Sequence, residues 1–525
     1  MTQIPQRLLG EALMLSTRNT PSKIAIISKQ EEFSYSDIYE RSMRLASHLV
    51  SSGINKGDRV ALCLNNSWQS IVSIYGITLA GGVFIVINPQ TKANKLKYIL
   101  DDSEAKALIS SNVFKNELQQ ALSETSCIQQ LLLIDESDDF KQFPFKTLYF
   151  NNITQLSEMV TKLPSVIAND LAALIYTSGS TGFPKGVMMT HQSMVFTSWS
   201  LIEYLRLSEE DRILLVLPLA FDYGLYQLIM AITIGGTLIV EQSFAFPASI
   251  YKSIEKYKPT VFPGVPTLYA MMINTNKTVG LTFDSIKKVT NTAAALPAEF
   301  LPEMKKIFPN ALIFKMYGLT ECKRVCYLEP ELVDLKPDSV GKAIPGTEVF
   351  LLSPEGKPVP SGEVGILHIR GPHVMLGYWH KEDLSKLMLK QGELPWERIL
   401  CSNDLFMMDK DGFLFFQGRT DDIIKTRGEK VSPIEVEKII YKLDGVREVA
   451  VIGIPDEILG ESIVAFITLH ANCLVNNDII MRECVTHLEA FMIPQKIIYL
   501  EEMPKSTNGK IDKFELKKIN ENGNI

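Results

Sequence analysis

Residues 176–186 read YTSGSTGFPKG, directly after the apolar run 171–175. The stretch carries four small hydroxyl side chains (Thr177, Ser178, Ser180 and Thr181), three glycines (Gly179, Gly182 and Gly186) and Lys185. Glycine permits backbone turns closed to other residues and lets amide N–H groups come close to a ligand. Hydroxyl donors, bare amides and one cation suit a polyphosphate. The stretch is not a Walker loop, which needs Ser or Thr directly after its lysine to hold magnesium; here Gly186 follows Lys185. The competing reading is a solvated Gly/Ser loop.

The chain has 525 residues, enough for two to four domains, and is 46% hydrophobic, as expected of a globular protein. A net charge of -7 gives no sign of a nucleic-acid surface. The N-terminus lacks the charged segment and long apolar core of a signal peptide. Residues 223–240 are apolar enough to raise the question of a membrane span. Gln227, Thr233 and the Gly235-Gly236 pair favour a buried helix, a turn and a strand, so no membrane partner is expected. The seven cysteines are scattered without metal-ligand spacing. Cys322 and Cys326 would lie one turn apart only on a helix. Buried free thiols suit a reducing, cytoplasmic setting.

Strand-like runs at 60–64, 83–87, 107–109, 131–134, 213–216, 237–240 and 311–315 alternate with helical patterns such as 35–53 and 69–80. That alternation predicts an α/β fold with largely parallel sheets. Around 341–369 the pattern turns to short strands with Pro/Gly turns, a small β-rich unit. After GRTDD at 418–422, a final segment of domain size predicts helix 433–443, strands 446–454 and 462–469, helix 478–488 and strand 495–499.

Four more motifs follow in order: YGLTE (317–321), SND (402–404), GRTDDIIKTRG (418–428) and PKSTNGK (504–510). Together with the glycine loop they resemble the adenylate-forming superfamily of acyl-CoA synthetases, peptide-synthetase adenylation domains and luciferases, over essentially the whole chain. The resemblance implies a large N-terminal domain (1–420) of stacked mixed α/β sheets with a small β-barrel-like subdomain. It also implies a small mobile α+β C-terminal domain (421–525). The implied chemistry is attack of a carboxylate on the α-phosphate of ATP, giving acyl-AMP and pyrophosphate, followed by acyl transfer to a thiol with release of AMP. An anion must then meet an anion, so the site has to neutralise charge and align the reactants.

By resemblance, the loop from Thr177 to Lys185 cradles the β- and γ-phosphates. Glu321 ligates Mg2+, Thr320 donates to the α-phosphate, and Tyr317 with Gly318 forms an adenine face. Residues 291–297, with Ala293 and Ala294, line the adenine pocket, though the family is usually richer in glycine there. Asp404 accepts the ribose hydroxyls, and Arg419 contacts ribose or phosphate. Lys510 bridges the substrate carboxylate and the α-phosphate. Asp421 is the hinge on which the C-terminal domain swings, after which Lys425 to Gly428 would line the pantetheine tunnel.

Subfamilies separate at FDYGLYQ (221–227). Amino-acid adenylation domains carry Phe-Asp here, and that aspartate binds the α-ammonium, so Asp222 favours a small amino acid. An N-cap or a structural salt bridge would also account for it. Tyr223, Tyr226 and Met316 would narrow the pocket. The composite looks most like stand-alone L-prolyl-carrier-protein ligases of small-molecule biosynthesis, which implies a separate phosphopantetheinylated carrier protein. Carrier-independent ligases share FDYG, so the alternative is an acyl-CoA synthetase acting on a fatty or other organic acid with CoA. Lys323 and Arg324 would meet a second carboxylate or the partner, or form a solvated basic face.

Overall fold

The computed structural model describes residues 6–156, 162–177, 183–242, 247–292, 294, 296–427, 429–456, 458–470, 473–506 and 509–522. Ser178, Gly179, Ser180, Thr181 and Gly182 of the expected phosphate loop, and also Ala293 and Gly428, lie outside the described residues.

Parallel strands need crossover connections, and the crossing helices cover both faces of the sheet. Inner strands are therefore apolar on both sides, and Val83–Ile87 (VFIVI) is buried at every position. It belongs to a seven-stranded sheet in the order Lys146–Tyr149, Gln130–Leu133, Ala107–Ser110, Arg59–Cys63, Val83–Ile87, Leu171–Thr177, Lys185–Thr190. Every neighbouring pair is parallel except the last.

A nine-stranded sheet runs Lys342–Ala343, Cys326–Leu328, Leu312–Tyr317, Lys288–Asn291, Val261–Gly264, Arg212–Leu215, Thr237–Val240, Ile24–Ser28, Glu31–Ser34. It is parallel in the middle and antiparallel at both ends. Helices Leu9–Asn19, Tyr35–Ser51, Trp68–Leu79, His191–Tyr204 and Asp222–Thr233 share one core with both sheets. The start of Tyr35–Ser51 is fixed by a reciprocal cap: Ser34 accepts from the Asp37 N–H, and the Ser34 N–H donates to Asp37 at 2.8 Å.

The apolar run 223–240 becomes helix Asp222–Thr233, a turn and strand Thr237–Val240. Among the described residues no helix is long and apolar enough to cross a membrane.

The β-rich unit is a five-stranded antiparallel sheet, Glu348–Leu352, Val364–Arg370, Arg398–Met408 and Leu389–Gln391, with Leu414–Arg419 pairing on Arg398–Met408. A last sheet is built from Glu429–Val431, Ile424–Thr426, Gly460–Leu469, Val446–Asp456 and Lys496–Tyr499. Helices Pro433–Tyr441 and Asn477–His487 supply apolar residues to one face, and Lys513–Asn522 to the other. The whole is a large N-terminal domain of mixed α/β sheets with a smaller α+β C-terminal domain. The C-terminal part touches the larger one through Ser432 Oγ, which donates to the Gln417 carbonyl at 2.5 Å. Lys438 also pairs with Asp338 at 3.1 Å.

Candidate active site

The glycine-rich stretch joins two antiparallel strands, with Thr177 directly opposite Lys185. The following strand is stitched to residues 377–379: the Met188 N–H donates to the Gly377 carbonyl at 3.0 Å, and the Trp379 N–H to Gly186 at 2.8 Å. These bonds set the Lys185 ammonium 4.8 Å over the ring of Tyr378, a cation–π arrangement. The Tyr378 hydroxyl donates to Glu321 Oε1 at 2.6 Å. Burial, reinforced by the Glu321 carboxylate, pushes the Tyr378 phenol above its usual range, so it remains a donor. Tyr378 therefore ties the glycine loop to YGLTE. Sequence reading missed it, because nothing in the spacing connects GYW at 377–379 to Glu321.

Strand Leu312–Tyr317 runs into a tight turn at YGLTE. The Val325 N–H donates to the Tyr317 carbonyl at 2.9 Å, and the Lys323 N–H to Leu319 at 2.7 Å. Gly318 is required there, since a Cβ would overlap the Lys323 carbonyl oxygen. The turn presents Thr320, half-buried, and Glu321, whose main-chain carbonyl accepts from the Met375 N–H at 2.8 Å. Glu321 Oε2 has no protein partner among the described residues. No cluster of three or more His, Cys, Asp or Glu side chains gathers among the described residues. Cys322 and Cys326 do not share a helix: Cys322 sits in the turn and Cys326 in strand Cys326–Leu328. Burial pushes both thiols up.

The Tyr317 hydroxyl donates to Asp404, and its ring packs edge-on to Phe406 with centroids 4.8 Å apart. Asp404 stands opposite Arg419 in the antiparallel register, and Arg419 Nε lies 3.3 Å from its Oδ1. That contact is an ion pair whose geometry falls short of a hydrogen bond, which leaves Oδ1 buried without one. Burial raises the Asp404 carboxyl to about 6, against the lowering pull of Tyr317 and Arg419. A buried carboxylate oxygen with no hydrogen bond is a ready acceptor for ligand hydroxyls.

Lys510 arrives from the C-terminal part on a turn closed by the Ser506 N–H donating to the Lys510 carbonyl at 2.7 Å. Gly509, at φ 75, supplies the left-handed step. Lys510 keeps solvent-exposed surface. Surrounding protein nonetheless lowers its ammonium from the usual lysine range, against the pull of Asp222, Asp404 and Glu321, while Arg419 adds to the lowering. One ammonium thus shares an electrostatic neighbourhood with groups from three motifs of the larger domain.

Asp222 is the first residue of helix Asp222–Thr233 and is buried, with no hydrogen bond or ion pair to any described residue. Gly224 lets that helix start hard against residues 217–218, where a Cβ would overlap the Pro218 carbonyl. The Tyr223 hydroxyl donates to the Thr290 carbonyl at 2.7 Å. Tyr226 is buried, and Met316 Sδ accepts from Tyr204 at 2.9 Å. On the 291–297 segment, the Ala294 carbonyl accepts from the Asn291 side-chain amide at 3.1 Å. Lys425 is exposed, its backbone N–H donating to Glu461 at 2.7 Å. Asp421 is exposed between Leu414–Arg419 and Ile424–Thr426, next to Asp422, which pairs with Lys513 at 2.9 Å.

A family model described as AMP-binding enzyme matches residues 15–379, and one described as AMP-binding enzyme C-terminal domain matches residues 435–510. The chain belongs to the AMP-binding enzyme family. It is an AMP-forming ligase of the ATP-dependent, adenylate-forming acyl- and aryl-CoA ligase group. This AMP-binding enzyme is 30% identical to a long-chain-fatty-acid–CoA ligase of Bacillus subtilis (strain 168), over 97% of this chain and 94% of that protein. Its fold is similar to that of the anthranilate CoA ligase AuaEII in complex with anthranoyl-AMP. There the TM-score is 0.89 at 26% identity, covering 99% of this chain and 98% of that one. ATP-bound MatB from Rhodopseudomonas palustris is similar with a TM-score of 0.87 at 26% identity, covering 98% and 99%.

Proposed function

We propose that this protein activates an organic acid as its acyl-adenylate, releasing pyrophosphate, and passes the acyl group to the thiol of CoA with release of AMP. The observation that supports the reading most is the turn that brings in Lys510, closed by the Ser506 N–H on its carbonyl, with Asp222, Asp404 and Glu321 acting electrostatically on the ammonium. A cation in that position can bridge the substrate carboxylate and the α-phosphate as charge develops between them. Asp404 accepts the ribose hydroxyls through its open oxygen, Tyr317 supplies an aromatic face for adenine, and Arg419 contacts ribose or phosphate. Lys185 and the loop beginning at Thr177 hold the outer phosphates. Thr320, whose hydroxyl has no side-chain partner among the described residues, donates to the α-phosphate.

Glu321 fits magnesium: its Oε1 is oriented by Tyr378 and its Oε2 is open. A site of one carboxylate plus substrate phosphates is what this ion favours. Bound there, magnesium would neutralise phosphate charge. The hinge lies at Asp421, dividing residues 1–420 from 421–525. Free cysteines, most of them buried, suit a cytoplasmic setting.

The CoA ligases among the relatives support an organic acid and CoA over L-proline and a carrier protein. A second reading, an amino acid delivered to a carrier protein, is favoured by Asp222, whose buried carboxylate has no hydrogen bond or ion pair to any described residue. ATP–pyrophosphate exchange across fatty acids, aryl acids and amino acids tests the two, followed by acyl transfer to free CoA and to a phosphopantetheinylated carrier. Exchange and CoA thioester formation with a non-amino acid are expected. Exchange confined to amino acids would overturn the first reading.

A further inference from the structure

Residues 322–324, CKR, directly follow the glutamate of YGLTE. A basic pair in a loop is ordinarily a solvated face. Here both cations are inside. Lys323 is fully buried, its backbone held in the left-handed region at φ 68. That conformation is costly for a lysine and persists only where the surroundings impose it. The Lys323 N–H is committed to the Leu319 carbonyl at 2.7 Å, and its own carbonyl accepts from Arg324 Nη1 at 2.8 Å. The turn therefore drives the side chain inward. At its end, Nζ has no hydrogen-bond partner among the described residues.

The groups that face this ammonium identify where it has been put. The carboxylates acting on it most strongly are Asp222, from the start of helix Asp222–Thr233, and Glu321. Neither forms an ion pair with it. Arg324 turns the same way, its guanidinium 4.9 Å over the ring of Tyr223 and its Nε unpartnered. Lys510 also faces Asp222 and Glu321. Lys323 thus sits in the same turn as Glu321, and its neighbour Arg324 packs on the ring of Tyr223, the residue after Asp222. Among the described residues its ammonium has nothing to bind.

A buried ammonium without a hydrogen bond costs several kcal/mol and is retained where something completes it. Resting on the reading of the site as an acid-activating one, we propose that Lys323 is a specificity residue. Its ammonium receives a second oxygen acceptor of the acid, beyond the carboxylate that is adenylated. The substrate class is a compact acid bearing a hydroxyl, keto or additional carboxylate oxygen, not a plain hydrocarbon acid. A hydroxyl answers both groups, accepting from Lys323 while donating to Asp222.

The test is ATP–pyrophosphate exchange with matched pairs: propionate against lactate, pyruvate and malonate, and benzoate against 2-hydroxybenzoate. Wild type should favour at least one oxygen-bearing member over its plain partner by at least about tenfold in kcat/KM. Lys323→Met should lower kcat/KM for the favoured acids about a hundredfold more than for the plain ones, chiefly through KM. Lys323→Arg should keep part of the preference. A wild-type enzyme that favours the plain acid in every pair overturns the proposal, whether or not Lys323→Met folds. So does an equal loss across each pair in Lys323→Met, which is the mark of a structural lysine. Wild type that exchanges with no acid overturns the acid-activating reading itself, and the proposal with it.

Discussion

Lys510 and Asp404 meet at one site but answer to opposite physical demands. Lys510 must stay charged while crowded by protein, and three carboxylates help keep it so. Lys510→Ala removes the charge between two anions and should lower adenylate formation by about a hundredfold or more, while thiolysis of preformed acyl-adenylate is spared. Separate assays of the two half-reactions check this, and equal losses would count against a bridging role. In its proposed role Asp404 must lose its proton to accept two hydroxyls, and burial resists that loss by raising its carboxyl to about 6. Its folded pKa lies above the ordinary value, so the working, ionised form is present above about 6 and is lost as pH falls through it. KM for ATP should therefore rise as pH falls below about 6, and Asp404→Asn should raise KM and remove that dependence. Tyr378 acts through its neighbours. Tyr378→Phe keeps the ring beneath Lys185 but deletes the hydrogen bond to Glu321. About 1.5 kcal/mol, or roughly tenfold in kcat/KM for MgATP, should be lost, since a bond to a charged group is at stake. A magnesium titration should show that the variant needs more of the ion.

At the scale of elements, YGLTE depends on its turn as much as on its side chains. Any side chain at Gly318 would strike the Lys323 carbonyl, and backbone cannot move aside as a flexible side chain would. Gly318→Ala should cost about 2–4 kcal/mol in urea unfolding and reduce exchange by displacing Glu321. Elements of this kind were readable in the sequence to the extent that burial on both faces writes an apolar run. Residues 83–87 and 237–240 are strands as expected, and 223–240 resolves into a helix and a strand around Gly235-Gly236. The family was readable too, because the order and spacing of the motifs along the chain mark it. What the sequence could not carry is register and long-range contact. That Asp404 faces Arg419 depends on how two strands pair, and that Tyr378 reaches Glu321 depends on a fold bringing together residues 57 apart. The inward turn of Lys323 is invisible for the same reason, since a basic pair looks the same whether solvated or buried.

For the whole molecule, the proposed function makes the orientation of the C-terminal part the feature that would decide which half of the reaction is served. As it stands, carboxylates of the larger domain act electrostatically on Lys510, and Lys425 is exposed. Only one polar latch of the pair noted above is ionic, Lys438 with Asp338 at 3.1 Å. Both of its side chains are more than half exposed, so it is worth about 1 kcal/mol at most. A latch that weak can open in each cycle. Asp421 lies in the short exposed connection between Leu414–Arg419 and Ile424–Thr426, where a small change in backbone angles would turn the whole C-terminal part. Proline at 421 fixes φ and removes that freedom. Asp421→Pro should leave pyrophosphate exchange the less affected step and slow thioester formation by about tenfold or more. Single-turnover acyl transfer from preformed acyl-adenylate to CoA measures the second step alone. If that transfer proceeds at the wild-type rate in Asp421→Pro, the thiol reaches the acyl group in the orientation seen here, and no swing about 421 is needed.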